Sequence, residues 1–273
     1  MKTQYIKPSK ELKDIVEHFY IRKCAHIDTC LAQYPALSHE LIFNFGDNFD
    51  FKLEQSNNFL ASDSTYIVGL QTKPSQVKIS NNHYTIGVVF KPWGIYKAFA
   101  HNTSAFTNRV VNAVEVLDTK YLKFIIDYAK IYTPMEVLSN IESWLIKNNK
   151  NKEVSDDFLH ALEKYNESNT EKGVIAKVSN EIDLCQKSFI EKFKLIIGIT
   201  PIQYLHIKQI NNALNVLKEK TPISLTEISN ELGFYDQAHF IRVFKAYCTI
   251  TPGQCRKQLL NINYQSKFET LSA

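Results

Sequence analysis

Hydrophobic residues follow two different spacings along this chain. Over the first 110 residues, β-branched and aromatic residues form short runs, such as 66–68 and 84–90, which is typical of strands. A further run, Leu41–Phe45, ends at the turn residues 46–48. Many short strands separated by turns predict an antiparallel barrel or sandwich. One helix is expected to interrupt the strands early, because helical spacing relates Leu12, Ile15, Val16, Phe19 and Tyr20.

From about residue 115 the spacing becomes helical. Amphipathic helices are predicted over 116–129 and 137–146, with Pro134 in the break between them, and a weaker helix over 158–165. Such helices often carry dimer contacts or couple two domains, and the alternative is that they simply cover the β domain. We therefore divide this part of the chain into a β domain over 1–110 and a helical dimerisation or coupling segment over 111–168, with the polar stretch 166–170 as a linker.

The C-terminal part of the chain repeats itself. Residues 178–184 recur as 228–234, and residues 193–201 recur as 244–252. Each copy has the pattern of a short helix, a tight turn and a second helix. Gly233 fits the left-handed geometry that such a turn requires, and Asp183, its counterpart, is a residue type that tolerates it. Two such units are typical of a DNA-reading helix-turn-helix pair.

A longer helix is predicted between the two units, from Pro201 to Glu219. At 1.5 Å per residue it is roughly 28 Å long, against roughly 34 Å for one turn of DNA. A rigid helix of that length suits two reading units in successive major grooves. The sequence thus predicts an all-helical DNA-binding domain over 171–260.

Composition and charge agree with this division. Residues 1–170 hold 19 basic and 19 acidic residues, whereas residues 171–273 hold 13 basic and 9 acidic ones, so the whole excess of +4 lies in the helical part. That distribution is typical of a nucleic-acid module. The five scattered cysteines, the lack of a long apolar run and the lack of a signal-peptide pattern favour a cytoplasmic protein without a membrane segment.

No pattern in the sequence indicates catalysis. There is no glycine-rich phosphate loop and no nucleophile motif. Cys24, His26 and Cys30 lie near one another, but zinc sites need a fourth ligand and usually tighter spacing. We expect no enzyme activity, no catalytic residues, no metal and no cofactor.

The residues of the second unit resemble a known family. Ser229–Pro252 reads SNELGFYDQAHFIRVFKAYCTITP, which is similar to the signature of AraC/XylS-type regulators: Gly-Phe, a polar stretch, Phe, a basic residue two positions on, Phe-Lys and a later Thr-Pro. The first unit and Thr200–Leu217 also fit. The resemblance implies a regulator that binds double-stranded promoter DNA sequence-specifically and usually activates transcription, with RNA polymerase as a partner.

The N-terminal part resembles, less specifically, the cupin-like sensory domains that precede this module. The resemblance rests on HELIFNFGD (39–47), VGLQT (68–72) and IGVVFKPWG (86–94). It implies an α+β protein of two domains: a cupin-like β-barrel or sandwich with flanking helices, then an all-α domain with two helix-turn-helix units joined by a long helix. It also implies control by a small effector bound in the first domain, and dimerisation is a further expectation for the coupling segment.

Two residues depart from the family pattern. Thr249 stands where the family usually has glycine, as Gly198 does in the first copy. Glu191 stands where the first recognition helix often carries arginine. A carboxylate there repels phosphate, although it can accept a hydrogen bond from a cytosine amino group.

The candidate DNA contacts are the polar residues expected on the exposed faces of the two recognition helices, the alternative being that these are merely solvated surfaces. In the first unit they are Gln186, Lys187, Ser188, Glu191 and Lys192. In the second they are Tyr235, Asp236, Gln237, His239 and Arg242. Phosphate contacts, which position a protein without specifying sequence, are expected from Lys194, Lys245, Arg256 and Lys257.

A barrel can enclose one small ligand, and aromatic residues are candidates to line the pocket. We take these to be Tyr34, Phe43, Phe45, Phe90 and Trp93, with ordinary core packing as the alternative. Two rival functions stay open: a helical domain that binds protein rather than DNA, and a cupin-type enzyme fused to a regulator.

Overall fold

The computed structural model describes residues 2–53, 60–61, 65–115, 117–167, 173–219 and 223–259. Its strands are β1 (Lys2–Ile6), β2 (Val16–Gln33), β3 (His39–Asn44), β4 (Asp50–Leu53), β5 (Leu60–Ala61), β6 (Thr65–Val68), β7 (Ser75–Phe90) and β8 (Val110–Asn112). Its helices are α1 (Gly94–Phe99), α2 (Thr119–Tyr128), α3 (Pro134–Asn148), α4 (Asp156–Glu167), α5 (Val174–Glu181), α6 (Gln186–Ile197), α7 (Pro201–Lys218), α8 (Leu225–Glu231), α9 (Gln237–Cys248) and α10 (Pro252–Leu259). Short 3₁₀ turns cover Thr103–Ala105 and Ala113–Glu115.

The strands form one antiparallel sheet with β7 near its centre. The order is β1-β2-β7-β3-β6-β8. Strand β7 pairs with β2 along most of its length, with β4 through Ser75–Lys78 and with β3 through Thr85–Phe90. The β2–β7 register shifts between Cys24 and Ile27, and left-handed backbone occurs there at His26 (φ 54°) and Asn81 (φ 59°). Such irregularities bend strands, and the sheet forms an antiparallel half-barrel.

Alternation along the strands separates two faces of the half-barrel. Phe19 and Ile21 of β2, with Leu41 of β3, belong to a core that α2 and α3 complete with residues such as Ile125 and Ile141. The intervening strand residues point to the concave side, because successive side chains in a strand lie on opposite faces. The expected β domain with flanking helices is confirmed.

The predicted early helix is wrong. Residues 9–15 form a turn, closed by hydrogen bonds such as Leu12 N–H to Ser9 O (3.2 Å), and β2 begins at Val16. The apolar residues of the expected helix are indeed buried. Their spacing of three and four arises from a turn followed by a strand, and β2 is set by fifteen paired positions with β7.

The C-terminal helices form two apolar clusters. Helix α4 packs through Phe158 and Tyr165 against Phe189 and Phe193 of α6, which ties it to the first helix-turn-helix unit. The second cluster joins α7 to α8, α9 and α10. The predicted helices at 137–146, 158–165 and 201–219 are confirmed to within a few residues at either end. Val116 and the linker residues 168–170 lie outside the described residues, and Asn166 and Glu167 belong to α4.

Candidate nucleic-acid interface and ligand cavity

The two halves of the sequence repeat close the same turn. In the second unit Gly233 has φ 76°, and Phe234 N–H donates to Ser229 O at 2.9 Å. In the first unit Asp183 has φ 51°, and Leu184 N–H donates to Ser179 O at 3.0 Å. The predicted left-handed residues are therefore present in both copies, and the repeat is a pair of helix-turn-helix units.

A buried serine stabilises each turn through a hydrogen bond of its hydroxyl. Ser179 and Ser229 are fully buried. Their hydroxyls donate to carbonyls three residues earlier, Ala176 O at 3.2 Å and Thr226 O at 2.8 Å. A buried hydroxyl that lacks a partner is costly, so this bond makes serine compatible with the tight approach of the two helices.

The helix between the units is fixed at its start and at its middle. Thr200 and Gln203 form a capping box at the start of α7, with Pro201 in the first turn, where its missing N–H costs nothing. Gln209, almost fully buried, donates from Nε2 to Leu232 O in the turn of the second unit at 2.8 Å. The second unit is thereby fixed to α7.

In the first unit most predicted DNA contacts are exposed. Gln186, Lys187, Ser188 and Glu191 lie on the open side of α6, and so does Lys194. Lys192 does not: its Nζ donates to Ser155 Oγ at 2.9 Å and lies 5.6 Å from the Phe158 ring centroid. Lys192 thus lies towards α4, and its role as a DNA contact stays a prediction.

In the second unit Tyr235 is 91% exposed and lies at the start of α9. Asp236 caps that helix, since His239 N–H donates to its Oδ1 at 2.6 Å. Gln237 is exposed but accepts from Thr226 Oγ1 at 2.6 Å, which joins α8 to α9. The remaining residue on this open side is Arg242, one turn further along.

Four other predicted contacts of the second unit differ in their surroundings. Lys245 and Lys257 are exposed. His239 is half-buried, with its ring edge-on to Phe234 at 5.7 Å. Arg256 donates to Ile223 O at 2.6 Å, so it holds the segment before α8. Arg256 therefore also contributes a structural contact within the domain, and its role as a phosphate contact stays a prediction.

A cavity of about 100 Å³ lies on the concave face of the half-barrel. Its apolar wall includes Phe49, Phe51 and Tyr66, whose rings lie 5.1–5.4 Å apart. Its polar wall consists of His18, Tyr20, Arg22, Glu40, His83 and Thr85. Sequence reasoning missed these residues. The alternation of Phe19 and Ile21 with His18, Tyr20 and Arg22 was a usable signal, because polar residues at every second strand position mark the face away from the core.

Side chains of the polar wall contact one another. The Tyr20 ring crosses Gly87 of the paired strand, where a Cβ would lie 2.1 Å from the ring. Its hydroxyl donates to Glu40 Oε2 at 3.0 Å, and the Arg22 guanidinium lies 4.4 Å from the ring centroid. Burial, and then the Glu40 charge, raise the pKa of Tyr20 well above its usual value. Glycine at position 87 is what allows this arrangement.

Two buried polar atoms of the wall have no hydrogen-bond partner among the described residues: Tyr66 Oη and His83 Nδ1. Burial lowers the pKa of His83 to about 4, so its ring is neutral at pH 7. An orphaned buried polar group costs about 1–3 kcal/mol. Such groups call for an explanation, of which a bound molecule is one.

The five predicted ligand-binding aromatics do not gather in this cavity. Phe43, Phe45 and Phe90 pack with the core on the helix side of the sheet, because their strand parity is opposite to that of the cavity residues. Trp93 donates to Asp14 O at 2.9 Å at the start of α1. Tyr34 lines a second cavity of about 250 Å³, between the half-barrel and α7. Of the five predicted residues, Tyr34 therefore lines a cavity and the other four pack elsewhere; whether any of them binds a ligand stays a prediction.

Both parts of the chain match known families. Residues 4–112 match a family described as a domain of unknown function (DUF6597), and residues 178–258 match a family described as a helix-turn-helix domain. The second match covers both units and the helix between them.

Curated relatives match in the same region. The chain is 29% identical over 100 residues to the HTH-type transcriptional regulator MtrA of Neisseria gonorrhoeae, covering 36% of this chain and 33% of that one. It is 31% identical over 85 residues to an uncharacterised HTH-type transcriptional regulator of Haemophilus influenzae, covering 31% of this chain and 28% of that one. The chain thus spans about a third of the length of these relatives.

Among solved structures, ToxT of Vibrio cholerae aligns over 89% of this chain and 98% of its own, with a TM-score of 0.46 and 11% identity. The C-terminal domain of the response regulator yesN of Fusobacterium nucleatum aligns over 37% of this chain and 99% of its own, with a TM-score of 0.35 and 30% identity.

The fold and the repeated unit define the class: a two-domain protein in which an antiparallel half-barrel precedes a double helix-turn-helix domain. Residues 178–258 match the helix-turn-helix family and align with HTH-type transcriptional regulators, which agrees with the resemblance of this part of the chain to the AraC/XylS signature. Among the described residues, no helix is both long and apolar enough to cross a membrane.

Proposed function

We propose that this chain binds double-stranded promoter DNA sequence-specifically and regulates transcription. The observation that carries the proposal is the pair of matched turns, each followed by a helix that exposes polar side chains in its N-terminal half, such as Gln186 and Glu191 of α6 and Gln237 and Arg242 of α9. A helix-turn-helix unit reads base edges with that part of its second helix. Arg242 suits a guanine, and Gln186 suits an adenine.

Fluorescence anisotropy of duplexes from the protein's own upstream region, at several salt concentrations, tests the proposal. Specific binding should exceed binding to scrambled DNA by about 10³-fold or more and fall steeply with salt. Arg242→Ala should cost about 1–3 kcal/mol, and Lys245→Ala should lower the salt slope by about one. Lys13→Ala, which removes an exposed charge from the other domain, is the matched control. Failure to bind any duplex at low salt would favour the protein-binding alternative.

Activation of transcription through RNA polymerase is part of the same proposal and rests on the resemblance to the family. Run-off transcription with purified polymerase, with and without this protein, measures the sign of the effect. More transcript from the bound promoter supports activation, whereas less transcript makes the protein a repressor.

A small effector in the half-barrel is the second part of the proposal. It is supported by the unpartnered Tyr66 hydroxyl and His83 nitrogen, which both face the cavity. A volume of about 100 Å³ lies below the roughly 150 Å³ of a cavity that holds benzene. The ligand is therefore a molecule of few heavy atoms, with a polar group for these two atoms and an apolar part against Phe49.

Thermal-shift measurements with small carboxylic acids, polyols and amines test the effector. A compound that stabilises the protein through this cavity should lose most of its effect in Tyr66→Phe, which removes only the hydroxyl. Phe43→Leu, on the opposite face of the sheet, should keep the effect. If no compound raises the melting temperature, or if Tyr66→Phe responds like the natural protein, the cavity is not the effector site.

A homodimer formed through α2 and α3 is the third part. Helix α2 buries Leu122 and Ile125 against the sheet, yet its outer side carries an aromatic ladder with stacked rings at Tyr128 and Tyr132, 3.9 Å apart. Ile131, at the end of the ladder, is 80% exposed. A cluster of large apolar side chains exposed on a surface is often covered by a partner.

The rim of this outer side carries both charge signs, for example Lys130 paired with Asp127 at 2.7 Å. A second copy would therefore not be repelled. Light scattering should give twice the chain mass, and Ile131→Glu should give the single-chain mass. Tyr235→Glu, an equal change on the second recognition helix, should leave the dimer intact. A monomeric natural protein would exclude this arrangement.

A further inference from the structure

The first recognition helix ends against the half-barrel. Three carbonyls in or just after its last turn accept hydrogen bonds from that domain. Thr103 Oγ1 donates to Leu195 O at 2.9 Å, Thr107 Oγ1 donates to Gly198 O at 2.9 Å, and His39 Nε2 lies 3.3 Å from Ile197 O. The last carbonyls of a helix have no partner within it. We call these three donors the α6 clamp.

The α6 clamp is buried and its hydrogen bonds are directional. His39 and Thr103 have no exposed surface. Leu70 N–H donates to His39 Nδ1 at 3.0 Å, so the ring hydrogen lies on Nε2 and points to Ile197 O. A buried polar group that loses its hydrogen-bond partner is costly. Separating α6 from the half-barrel would break the hydrogen bonds of the clamp and leave their donors and carbonyls without these partners.

A glycine marks the closest approach. Gly198, with φ 100°, ends α6, and a Cβ there would lie 2.6 Å from Thr107 Oγ1 and 3.2 Å from Thr103 O. The second unit has Thr249 at the same position, also left-handed at φ 64°. The unit that has threonine in place of the family's glycine is therefore the unit without the α6 clamp.

The second recognition helix meets the half-barrel differently. Its last turn accepts one bond from that domain, from the exposed Lys73 Nζ to Ala246 O at 2.6 Å. Thr249 supplies its own hydroxyl to Cys248 O. A buried link of this unit is to α7, through Gln209. The two recognition helices therefore take their orientation from different partners.

Docking does not cover the reading surface of the first unit. Gln186, Lys187 and Ser188, at the opposite end of α6, stay exposed while the α6 clamp is formed. The contact is therefore unsuited to blocking DNA by occlusion. It is suited to holding the reading end of α6 at one angle, because a rigid helix gripped at one end is oriented at the other.

We propose that the α6 clamp is the point at which the half-barrel positions the first helix-turn-helix unit for DNA, with His39, Thr103 and Thr107 as positioning residues. His39 begins β3, and the next residue, Glu40, lies on the cavity wall. A molecule that moves Glu40 therefore acts one residue away from the clamp. The inference rests on the proposed DNA-binding function.

Hydrogen exchange of the full chain tests the clamp without DNA. Thr103→Val removes the donor and keeps the side-chain shape, whereas Thr103→Ser keeps the donor. In the valine variant, exchange in the last turn of α6 should rise about tenfold, with the last turn of α9 unchanged. The serine variant should match the natural protein. An equal rise in both helices, or none in α6, overturns the proposal. Thr107→Val is a second variant if Thr103→Val does not fold.

DNA titration tests the positioning role. With a duplex that the natural chain binds, Thr103→Val should weaken binding about three- to tenfold, and Thr103→Ser should restore it. With the half-site of the first unit scrambled, both variants should bind equally. Unchanged affinity of the valine variant on the intact duplex overturns the proposal. If the natural chain binds no duplex, the proposed function fails and the positioning role with it, while the exchange result still decides whether the clamp exists.

Discussion

Thr249 is strained, and replacing it by glycine should stabilise the protein. A β-branched residue at φ 64° is a genuine outlier, and a left-handed backbone costs about 1–2 kcal/mol for a non-glycine residue. Part of that gain is lost, because glycine increases the conformational entropy of the unfolded chain, which lowers the stability by about 0.5–1 kcal/mol. The exposed Thr249 hydroxyl contributes little through its bond to Cys248 O. We expect a net gain of about 0.5–1 kcal/mol for Thr249→Gly.

Gly198→Ala is the opposite change at the matched position. It meets the same backbone cost of about 1–2 kcal/mol. In addition, its Cβ would lie 2.6 Å from Thr107 Oγ1, and overpacking of this kind costs about 1–3 kcal/mol. We therefore expect a loss of about 2–5 kcal/mol, from the sum of these two effects.

Urea unfolding followed by circular dichroism at the helix band measures both changes. The unfolding midpoint should move up for Thr249→Gly and down for Gly198→Ala, with the denaturant slope unchanged. In thermal unfolding the first should gain about 1–4 °C. A lower midpoint for Thr249→Gly would refute the argument from strain. Equal effects at the two positions would refute the claim that close packing on Thr107 requires glycine in the first unit.

Two further predictions concern charge. Burial lowers the pKa of His39 to about 4. Between pH 6.5 and pH 4, His39 is therefore protonated in the unfolded chain but neutral in the folded chain. The stability that is present above pH 6.5 is lost as the pH falls towards 4. His39 alone should account for a loss of about 1.4 kcal/mol at pH 5.5, visible as a lower urea midpoint. His83, whose pKa burial also lowers to about 4, adds a loss of the same sign, so His39→Gln should remove the His39 share and leave that of His83. A pH-independent midpoint would contradict this. Separately, Glu191→Gln should tighten binding to scrambled DNA at low salt, because an exposed carboxylate on α6 repels phosphate; unchanged affinity would place Glu191 away from the duplex.

The helical half of the fold could be predicted from the sequence because its signals are local. The repeat located both turns, and the left-handed positions Asp183 and Gly233 follow from residue type alone. The apolar faces of α6 and α9 are set by helical spacing, and Phe193 and Phe244 lie buried on them. Cap residues such as Pro201 fixed where a helix starts.

Contacts between distant segments could not be predicted in this way. Lys192 faces Ser155 and Arg256 faces Ile223 because of tertiary packing, which helical spacing does not encode. In the half-barrel, the pocket wall depends on strand parity, and parity is known only once strand ends are known. Phe43, for example, lies in the core on the helix side of the sheet. The α6 clamp joins residues separated by 91 to 158 positions.

Because α7 joins two different recognition helices, the DNA-binding domain is asymmetric. The exposed residues of these helices differ: Gln186 and Glu191 on one, Tyr235 and Arg242 on the other. A DNA target read by one such chain has a first and a second half that are not interchangeable. Turning the target around would present each half to the wrong helix. A single chain of this kind can therefore distinguish upstream from downstream, and it would face the same way each time it bound a promoter.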